Sequence, residues 1–172
     1  MRFKRVYVDV VETPVGEYVA VASDKGLLML SRKPITLVLS CLREQAYETT
    51  IDDNPVIKQT KRQLGEYFAR RRKSFTIELD LHGTDFQRKV WSVLREIPYG
   101  EVVSYKQLAY KVGVYRGYRA VGNAVGANPI PIIIPCHRVV RSDYTIGGYS
   151  NGVEVKKKLL ELEDVLKRVR FV

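Results

Sequence analysis

The chain is 172 residues long, which is enough for one domain or for two small ones. Its formal net charge of +10 favours an anionic partner such as nucleic acid, although a basic solvated surface is the simpler explanation. Two cysteines exclude a disulfide framework, and with only two histidines no bound metal is expected.

The positive charge is concentrated in the second half of the chain. Residues 81–172 hold 15 Lys and Arg against 8 Asp and Glu, a net +7, whereas residues 1–80 hold 14 against 11, a net +3. No apolar run has membrane-spanning length, so no membrane association is expected. No secretory signal precedes the first strand, which predicts a cytoplasmic protein, or a nuclear one if the source is eukaryotic.

Residues 1–80 predict a first domain of the α/β or the α+β class. Apolar residues at helical spacing predict one helix from Pro34 and another after Asn54, and residues 75–79 are expected to form a further strand. A linker is predicted over residues 80–83. Alternating apolar residues between turn residues also indicate three strands of an antiparallel meander, over 5–11, 17–23 and 27–30.

Residues 81–172 predict a mostly helical second domain, which makes the expected fold class α+β. Two capping boxes, 84–87 and 104–107, each begin a helix, because Ser or Thr and Gln side chains satisfy free amides of the first turn. The helix from Ser104 ends at Gly113, and a third helix is predicted over 116–127. Two short helices joined by such a turn have the outline of a helix-turn-helix.

The third helix is rich in small residues and carries one long cation, Arg119. Interior glycines cost about 1 kcal/mol each relative to alanine, so another interaction must offset that cost. One explanation is close packing against another helix, and the other is close approach to a nucleic-acid groove with Arg119 in the base stack. The small residues are Gly117, Ala120, Gly122, Ala124, Gly126 and Ala127.

The last helix is predicted from a single apolar stripe. Lys156 is expected to lie off this stripe, in solvent. Glu163 borders the stripe, where a carboxylate needs a partner, and a surface cation and a catalytic imidazole are both candidates. The stripe consists of Val155, Leu159, Leu162, Leu166 and Val169.

Residues 129–140 carry the residues best suited to chemistry. Ile132–Ile134 predict a short buried strand, Pro135 ends it, and Cys136 and His137 follow at once. A thiol near an imidazole is a nucleophile–base pair, although a buried structural cysteine beside a chance histidine is the commoner explanation for a lone pair. Adjacent strand residues point to opposite faces, so the pair requires a bent backbone or a bridging water.

The string Pro-Cys-His-Arg-Val-Val at 135–140 resembles the active-site signature of the O6-alkylguanine-DNA alkyltransferases, the methylated-DNA–protein-cysteine methyltransferases. Residues 128–129, 119–122 and 147–150 match the same family, and the resemblance covers roughly residues 84–163. It implies a ribonuclease-H-like α/β domain over residues 1–80. It also implies that residues 81–172 form a DNA-binding, alkyl-accepting domain with a helix-turn-helix and a Cys-His active-site strand.

The resemblance implies a DNA repair methyltransferase that moves a methyl or other alkyl group irreversibly from O6 of guanine to Cys136. O4 of thymine is a further target. The implied partner is double-stranded DNA carrying O6-alkylguanine, bound by a monomer without a cofactor or metal. His137 and Glu163 would activate the thiol through a water, Tyr105 would donate to the leaving O6, and Asn128 would form a hinge.

The resemblance also assigns contacts to the guanine and to the DNA. The guanine edge would be read by Val139 and Ser150, in a pocket shaped by Tyr149. Arg119 would hold the gap left by a flipped nucleotide, while its helix lies in the minor groove. Two residues, Tyr118 and Asn123, are larger than the small side chains expected there. The complete set of expected DNA contacts is Tyr118, Arg119, Ala120, Gly122, Asn123 and Ser142.

Two other classes of function remain open. A cysteine hydrolase could use Cys136, His137 and Glu163, but it would turn over on esters or amides and need no basic helix-turn-helix. A non-enzymatic DNA-binding lesion sensor would lack the nucleophile, so the presence of Cys136 argues against that class. Because a thioether is not hydrolysed by ordinary water chemistry, an alkyl-accepting protein of this kind reacts once.

Overall fold

The computed structural model describes residues 4–170, and the chain divides into two units, Met1–His82 and Gly83–Val172. The division lies inside the predicted 80–83 linker. No helix among residues 4–170 combines the length and the apolar character needed to cross a membrane.

The first unit is built on a four-stranded sheet with the strand order β3–β2–β1–β4. Its strands are β1 (Lys4–Thr13), β2 (Gly16–Ala22), β3 (Leu27–Ser31) and β4 (Tyr47–Ile51). The first three form the predicted antiparallel meander. β4 pairs in parallel with β1 and is absent from the sequence prediction, because its half-exposed Tyr-Glu-Thr-Thr-Ile lacks the alternation typical of a strand.

Two helices, α1 (Ile35–Glu44) and α2 (Pro55–Phe68), confirm the predicted helical segments of this unit. The side chain of Asn54 begins α2 by accepting a hydrogen bond from the backbone N–H of Ile57 at 3.0 Å. α1 packs its buried face on the sheet and closes a valine-rich core. That core contains Val6, Val8, Val19, Val21, Val38 and Leu42.

Residues 75–79 do not form the predicted strand. Only Leu79 bridges to the sheet, opposite Leu27. The backbone amide of Thr76 is instead bound by the side-chain oxygen of Gln63 at 2.9 Å, and the Gln63 amide donates to the Thr76 hydroxyl at 2.7 Å. A side chain from α2 therefore takes the place of a ladder partner along this segment.

The second unit, over its described residues 83–170, is mostly helical, as predicted. Both capping boxes are present, with Gln87 and Gln107 closing the reciprocal bonds to Thr84 and Ser104. The elements are α3 (Asp85–Arg95), β5 (Val103–Ser104), α4 (Tyr105–Val112), α5 (Tyr118–Gly126), β6 (Val139–Val140) and α6 (Val153–Leu162), and β5 pairs in parallel with β6.

α4 and α5 follow one another across a five-residue connection that begins at Gly113 and ends at Gly117. Gly113 takes φ +84, the left-handed conformation that commonly ends a helix. Trp91 on α3 is buried, and its Nε1 donates to the backbone oxygen of Ala124 on α5 at 2.8 Å. This bond fixes α5 against α3 and leaves the opposite side of α5 exposed.

The last helix is shorter than its apolar stripe predicts. α6 ends at Leu162, Asp164 takes φ +58, and a single 3-10 turn follows at Leu166–Arg168. Aspartate tolerates the left-handed conformation better than most residues, and the spacing of the apolar residues does not reveal this break. The helix therefore ends just before Glu163, whose side chain is buried.

Candidate active site

Cys136 lies on a buried 3-10 turn, not at the end of the predicted strand. The preceding Ile132–Ile134 are buried as expected, but they form a turn in which the N–H of Ile134 donates to the oxygen of Ile130 at 2.9 Å. Prolines at 129, 131 and 135 remove the N–H groups that a strand would need. The strand prediction for this segment is therefore wrong.

This turn holds a strained residue. Ile132 takes φ +73, a conformation that costs a β-branched side chain on the order of 1–3 kcal/mol. Asn128 closes the turn from outside, since its Nδ2 donates to the oxygen of Ile134 at 2.8 Å and its Oδ1 accepts from the N–H of Ile130 at 3.0 Å. Asn128 thus joins the end of α5 to the turn that carries Cys136.

A buried carboxylate lies at the centre of the site. Oε1 of Glu163 is 2.8 Å from Nε2 of His137 and 2.9 Å from Nη2 of Arg138. Oε2 of Glu163 accepts from Nε of Arg138 at 2.9 Å and from the N–H of Gly100 at 3.3 Å. Of the two candidate partners for Glu163, the structure thus provides both an imidazole and a cation, and the cation is buried.

The charges of this cluster fix the role of each ring nitrogen of His137. Burial would raise the pKa of Glu163, but the His137 ring and the Arg138 guanidinium outweigh it and hold that pKa well below its usual range. Burial lowers the pKa of His137, against the opposing effect of Glu163. A neutral His137 therefore donates from Nε2 to the carboxylate and keeps a lone pair on Nδ1.

Nδ1 of His137 is the basic atom of the site. It is buried, and it makes no hydrogen bond with any other group among residues 4–170. The 3-10 turn bends the backbone between Cys136 and His137, which the sequence reasoning required of adjacent partners. His137 and Glu163 are therefore arranged as a base and a carboxylate that orients it, and Cys136 immediately precedes the base in the same 3-10 turn.

Arg138 is a member of this buried cluster to which the sequence analysis assigns no role. Besides its two bonds to Glu163, its Nη1 donates to the oxygen of Ile97 at 2.6 Å, and its guanidinium lies 5.9 Å from the ring centroid of Tyr99. Its signal in the sequence was its place in the 135–140 string beside a histidine. An arginine that binds a carboxylate through two of its nitrogens is well suited to keep that carboxylate ionised inside a protein.

Lys156 contradicts the prediction that it lies in solvent. It has no exposed surface, and its Nζ donates to three backbone oxygens: Val139 at 2.6 Å, Ile146 at 2.5 Å and Gly148 at 3.2 Å. Burial lowers the pKa of Lys156 to about 8, although the charge of a Cys136 thiolate acts in the opposite direction. No carboxylate accepts from its ammonium group within the described residues.

The thiol experiences two opposing influences. Cys136 is 4% exposed, and burial raises the pKa of its thiol. A hydrogen bond from Asn128, the charge of Lys156 and a hydrogen bond from Tyr149 lower that pKa. The polar groups around Cys136 thus favour the thiolate, whereas its burial keeps the resting thiol protonated.

The remaining predicted substrate residues differ in how far they are buried. Tyr105 is the first residue of α4; burial, and then the charge of Cys136, raise the pKa of its hydroxyl, which stays a proton donor. Val139 is buried, and its carbonyl oxygen is held by Lys156. Tyr149 is half-buried, while Ser150 is exposed.

The outer face of α5 presents the predicted DNA-contacting residues. Tyr118, Arg119, Ala120 and Asn123 are exposed there, and Ser142 is exposed on the loop after β6. A Cβ placed on Gly122 would meet no other atom within 4 Å. Close packing against another helix within the protein therefore does not explain this glycine.

Comparisons with known proteins identify the class. A buried thiol next in sequence to a carboxylate-oriented imidazole is a pattern typical of proteins with a cysteine nucleophile. Residues 6–81 match the family model described as the ribonuclease-like domain of 6-O-methylguanine DNA methyltransferase, and residues 85–165 match the model of its DNA binding domain. The chain belongs to the 6-O-methylguanine DNA methyltransferase family, and the predicted two-domain α+β fold is confirmed.

Individual relatives agree along nearly the whole chain. A Methanosarcina barkeri protein named methylated-DNA–protein-cysteine methyltransferase is 41% identical, covering 92% of this chain and 98% of that protein. The constitutive Bacillus subtilis protein of that name is 38% identical, covering 92% and 96%. The crystal structure of Mycobacterium tuberculosis OGT in complex with DNA is 34% identical with a TM-score of 0.78, covering 96% and 94% of the two chains.

Proposed function

We propose that this protein repairs double-stranded DNA by transferring a methyl or other alkyl group from O6 of guanine to Sγ of its own Cys136. The observation that carries the proposal is the buried Cys136–His137–Glu163 set, in which Glu163 accepts from Nε2 of His137 at 2.8 Å. The relatives named methylated-DNA–protein-cysteine methyltransferase support this over a hydrolase. An alkyl group on O4 of thymine is a second candidate substrate for the same attack, with O4 as the leaving atom.

The transfer balances without any cofactor. His137 takes the thiol proton at Nδ1 through a bridging water, and the resulting thiolate attacks the sp³ alkyl carbon. The new S–C bond forms as the C–O6 bond breaks, and Tyr105 donates a hydrogen bond to the leaving O6. The proton lost by Cys136 ends on the guanine, and the protein keeps the alkyl group as a thioether.

The reaction therefore occurs once per molecule. A thioether is not reversed by water, and Cys136 is the only cysteine in residues 83–172. The relevant rate constant is therefore the single-turnover rate, and each protein molecule is inactivated by the one alkyl group that it removes.

α4 and α5 form the proposed DNA-binding helix-turn-helix, with α5 as the recognition helix in the minor groove. The exposed Arg119 and the small Ala120 and Gly122 support this placement. A target base inside the duplex must be flipped out to reach a buried thiol, at a cost of a few kcal/mol. We also propose that the protein is a monomer and that it acts in the cytoplasm, or in the nucleus if the source is eukaryotic.

Intact-protein mass spectrometry after mixing with duplex O6-methylguanine tests the function directly. We expect one added methyl group per molecule, lost in Cys136→Ala and retained in Cys41→Ala, because the half-exposed Cys41 has no part in the site. Cys136→Ala should still bind DNA. Repeated hydrolysis of an ester would support the hydrolase, and duplex binding without any adduct would support the lesion sensor.

Arg119→Ala should separate base flipping from chemistry. The guanidinium cannot act as an acid or base at neutral pH, so its loss should raise only the cost of flipping. Repair of duplex O6-methylguanine should slow by roughly tenfold to a hundredfold, while reaction with free O6-benzylguanine changes little. Single-turnover rates on both substrates measure this difference.

Tyr105→Phe is the matched comparison for Arg119→Ala. Donation to the leaving O6 is common to both substrates, so this variant should slow both. Equal slowing of both substrates by Arg119→Ala would show that Arg119 has a structural role instead.

A further inference from the structure

Two exposed tyrosines contact each other, one in the last turn of α4 and the other on the connection between α4 and α5. Tyr110 is 53% exposed and Tyr115 is 61% exposed, and their rings meet edge to face with centroids 5.1 Å apart. Single exposed aromatic residues are common on protein surfaces, but two in mutual contact form a small apolar surface. Neither residue belongs to the catalytic site described above.

Three cations lie near the two tyrosines in the sequence, and none of the three has an acidic partner among residues 4–170. Lys106, Lys111 and Arg116 are exposed, and none of them joins an ion pair among residues 4–170. Residues 102–142 contain no Asp or Glu at all. The Lys and Arg residues of that stretch are Lys106, Lys111, Arg116, Arg119, Arg138 and Arg141, of which only Arg138 is buried.

We propose that Lys106, Tyr110, Lys111, Tyr115 and Arg116, here called the tyrosine platform, bind the sugar–phosphate backbone of duplex DNA beside the groove that α5 enters. This inference rests on the proposed function, because it uses α5 as the recognition helix. Phenol hydroxyls, lysines and arginines are typical phosphate-contacting groups. The aromatic rings add an apolar surface that can pack on deoxyribose.

The position of the platform selects the backbone over the bases. In a helix-turn-helix the second helix enters the groove, and the first helix crosses the backbone at the groove edge. Tyr110 lies in the last turns of α4, and Tyr115 precedes the first residue of α5 by three positions. The platform would thus lie at the groove edge. Arg119 follows Tyr115 by four residues and is the second residue of α5.

The two tyrosines of the platform should contribute to DNA affinity by a mechanism other than charge neutralisation, and the cations of the platform should contribute by charge neutralisation. Phosphate contacts by cations release counterions, so their contribution falls with salt, by a log–log slope of about −0.9 per phosphate. Packing of a phenol ring on a sugar releases none. Removing the tyrosines should therefore lower affinity equally at all salt concentrations, whereas removing the cations should make the slope less steep.

The test is fluorescence anisotropy on a short undamaged duplex at several salt concentrations. Tyr110→Ala/Tyr115→Ala should bind roughly tenfold more weakly than the wild type with an unchanged slope. Lys111→Ala/Arg116→Ala should reduce the slope by about 2. The matched control, Leu37→Ala/Ile51→Ala, removes two exposed apolar side chains from the first unit and should bind as the wild type does.

A second measurement localises the contact. Neutral methylphosphonate linkages placed one at a time along the duplex should weaken the wild type at the phosphates that Lys111 and Arg116 contact, but should not weaken Lys111→Ala/Arg116→Ala further. The inference is overturned if Tyr110→Ala/Tyr115→Ala binds duplex DNA as tightly as the wild type does. It is also overturned if the variant loses affinity only for single-stranded DNA, or loses only self-association.

Reaction with free O6-benzylguanine separates this inference from the proposed function. The tyrosine double variant, Tyr110→Ala/Tyr115→Ala, should react with the free base at the wild-type rate, because that substrate needs no DNA contact. If the wild type itself accepts no alkyl group from any substrate, the proposed function fails, whatever the DNA affinities show. Should the double variant not fold, the single variants Tyr110→Ala and Tyr115→Ala carry the same comparison.

Discussion

Glu163→Gln should slow alkyl transfer by about a hundredfold or more, and should lower the free energy of unfolding by roughly 3 kcal/mol. The rate falls because the neutral amide no longer stabilises the His137 imidazolium that forms when the thiol loses its proton. The stability falls because Arg138, with a side chain only 6% exposed, keeps its charge and loses the counter-charge that offsets its burial.

The acid stability of the protein should change in the same variant. The folded-state pKa of Glu163 is lowered below the unfolded value of about 4.3, so the carboxylate's contribution is complete above that pH. That contribution is lost as the pH falls toward the folded-state pKa. The wild type should therefore lose stability on acidification below about pH 4.3, and Glu163→Gln should lack that component.

Glu161→Gln is the matched control, since Glu161 is exposed and lies two residues earlier in the same segment. Its transfer rate and unfolding curve should equal those of the wild type. Urea unfolding from pH 3 to pH 8, with single-turnover rates at neutral pH, measures both effects. A Glu163→Gln protein with a wild-type rate would show that His137 needs no carboxylate and would remove Glu163 from the mechanism.

The parts of this structure that sequence predicts well are those fixed by local rules. Both capping boxes depend on residues three positions apart, and Gly113 ends α4 by its own backbone freedom. Glu163 was found because an acid at the edge of an apolar stripe requires a partner. The structure confirms the imidazole, that of His137, as a partner of Glu163. The second partner is the cation of Arg138, which lies in the same 135–140 string.

The failures have a different cause. The isoleucines at 132–134 have strand propensity, but the neighbouring prolines lack the N–H groups of a continuous ladder, and Ile132 takes φ +73, which ends an extended segment. Residues 75–79 also resemble a strand, yet Gln63 binds the amide that a strand partner would use. Strand pairing and buried polar bonds are made between distant parts of the chain, and composition within a window does not contain that information.

Lys156 shows the same limit at a functional position. Lysine is almost never fully buried, so placing Lys156 in solvent follows the general rule. Burial becomes possible here because three carbonyl oxygens converge on its ammonium group, from β6 and from the loop that follows it. The convergence depends on the path of residues 139–148, which no sequence pattern specifies.

Lys156→Met should slow alkyl transfer at neutral pH by about tenfold or more. Methionine keeps the unbranched shape but removes the charge that lowers the pKa of Cys136, so less thiolate forms. It also leaves the oxygens of Val139, Ile146 and Gly148 without their common donor. The loop that carries Tyr149 and Ser150 then loses its attachment to the turn that carries Cys136.

The pH dependence of the rate distinguishes the charge from the attachment. With the pKa of Lys156 lowered to about 8, the wild-type rate should level off or fall above that pH, because the ammonium group that favours the thiolate is being lost. Lys156→Met has no such group, so its slower rate should keep rising with pH through that range. Lys158→Met, on the exposed side of the same helix, should reproduce the wild-type profile. A Lys156→Met variant that is slow but still levels off near pH 8 would show that Lys156 acts only as a structural tie between the loop and β6.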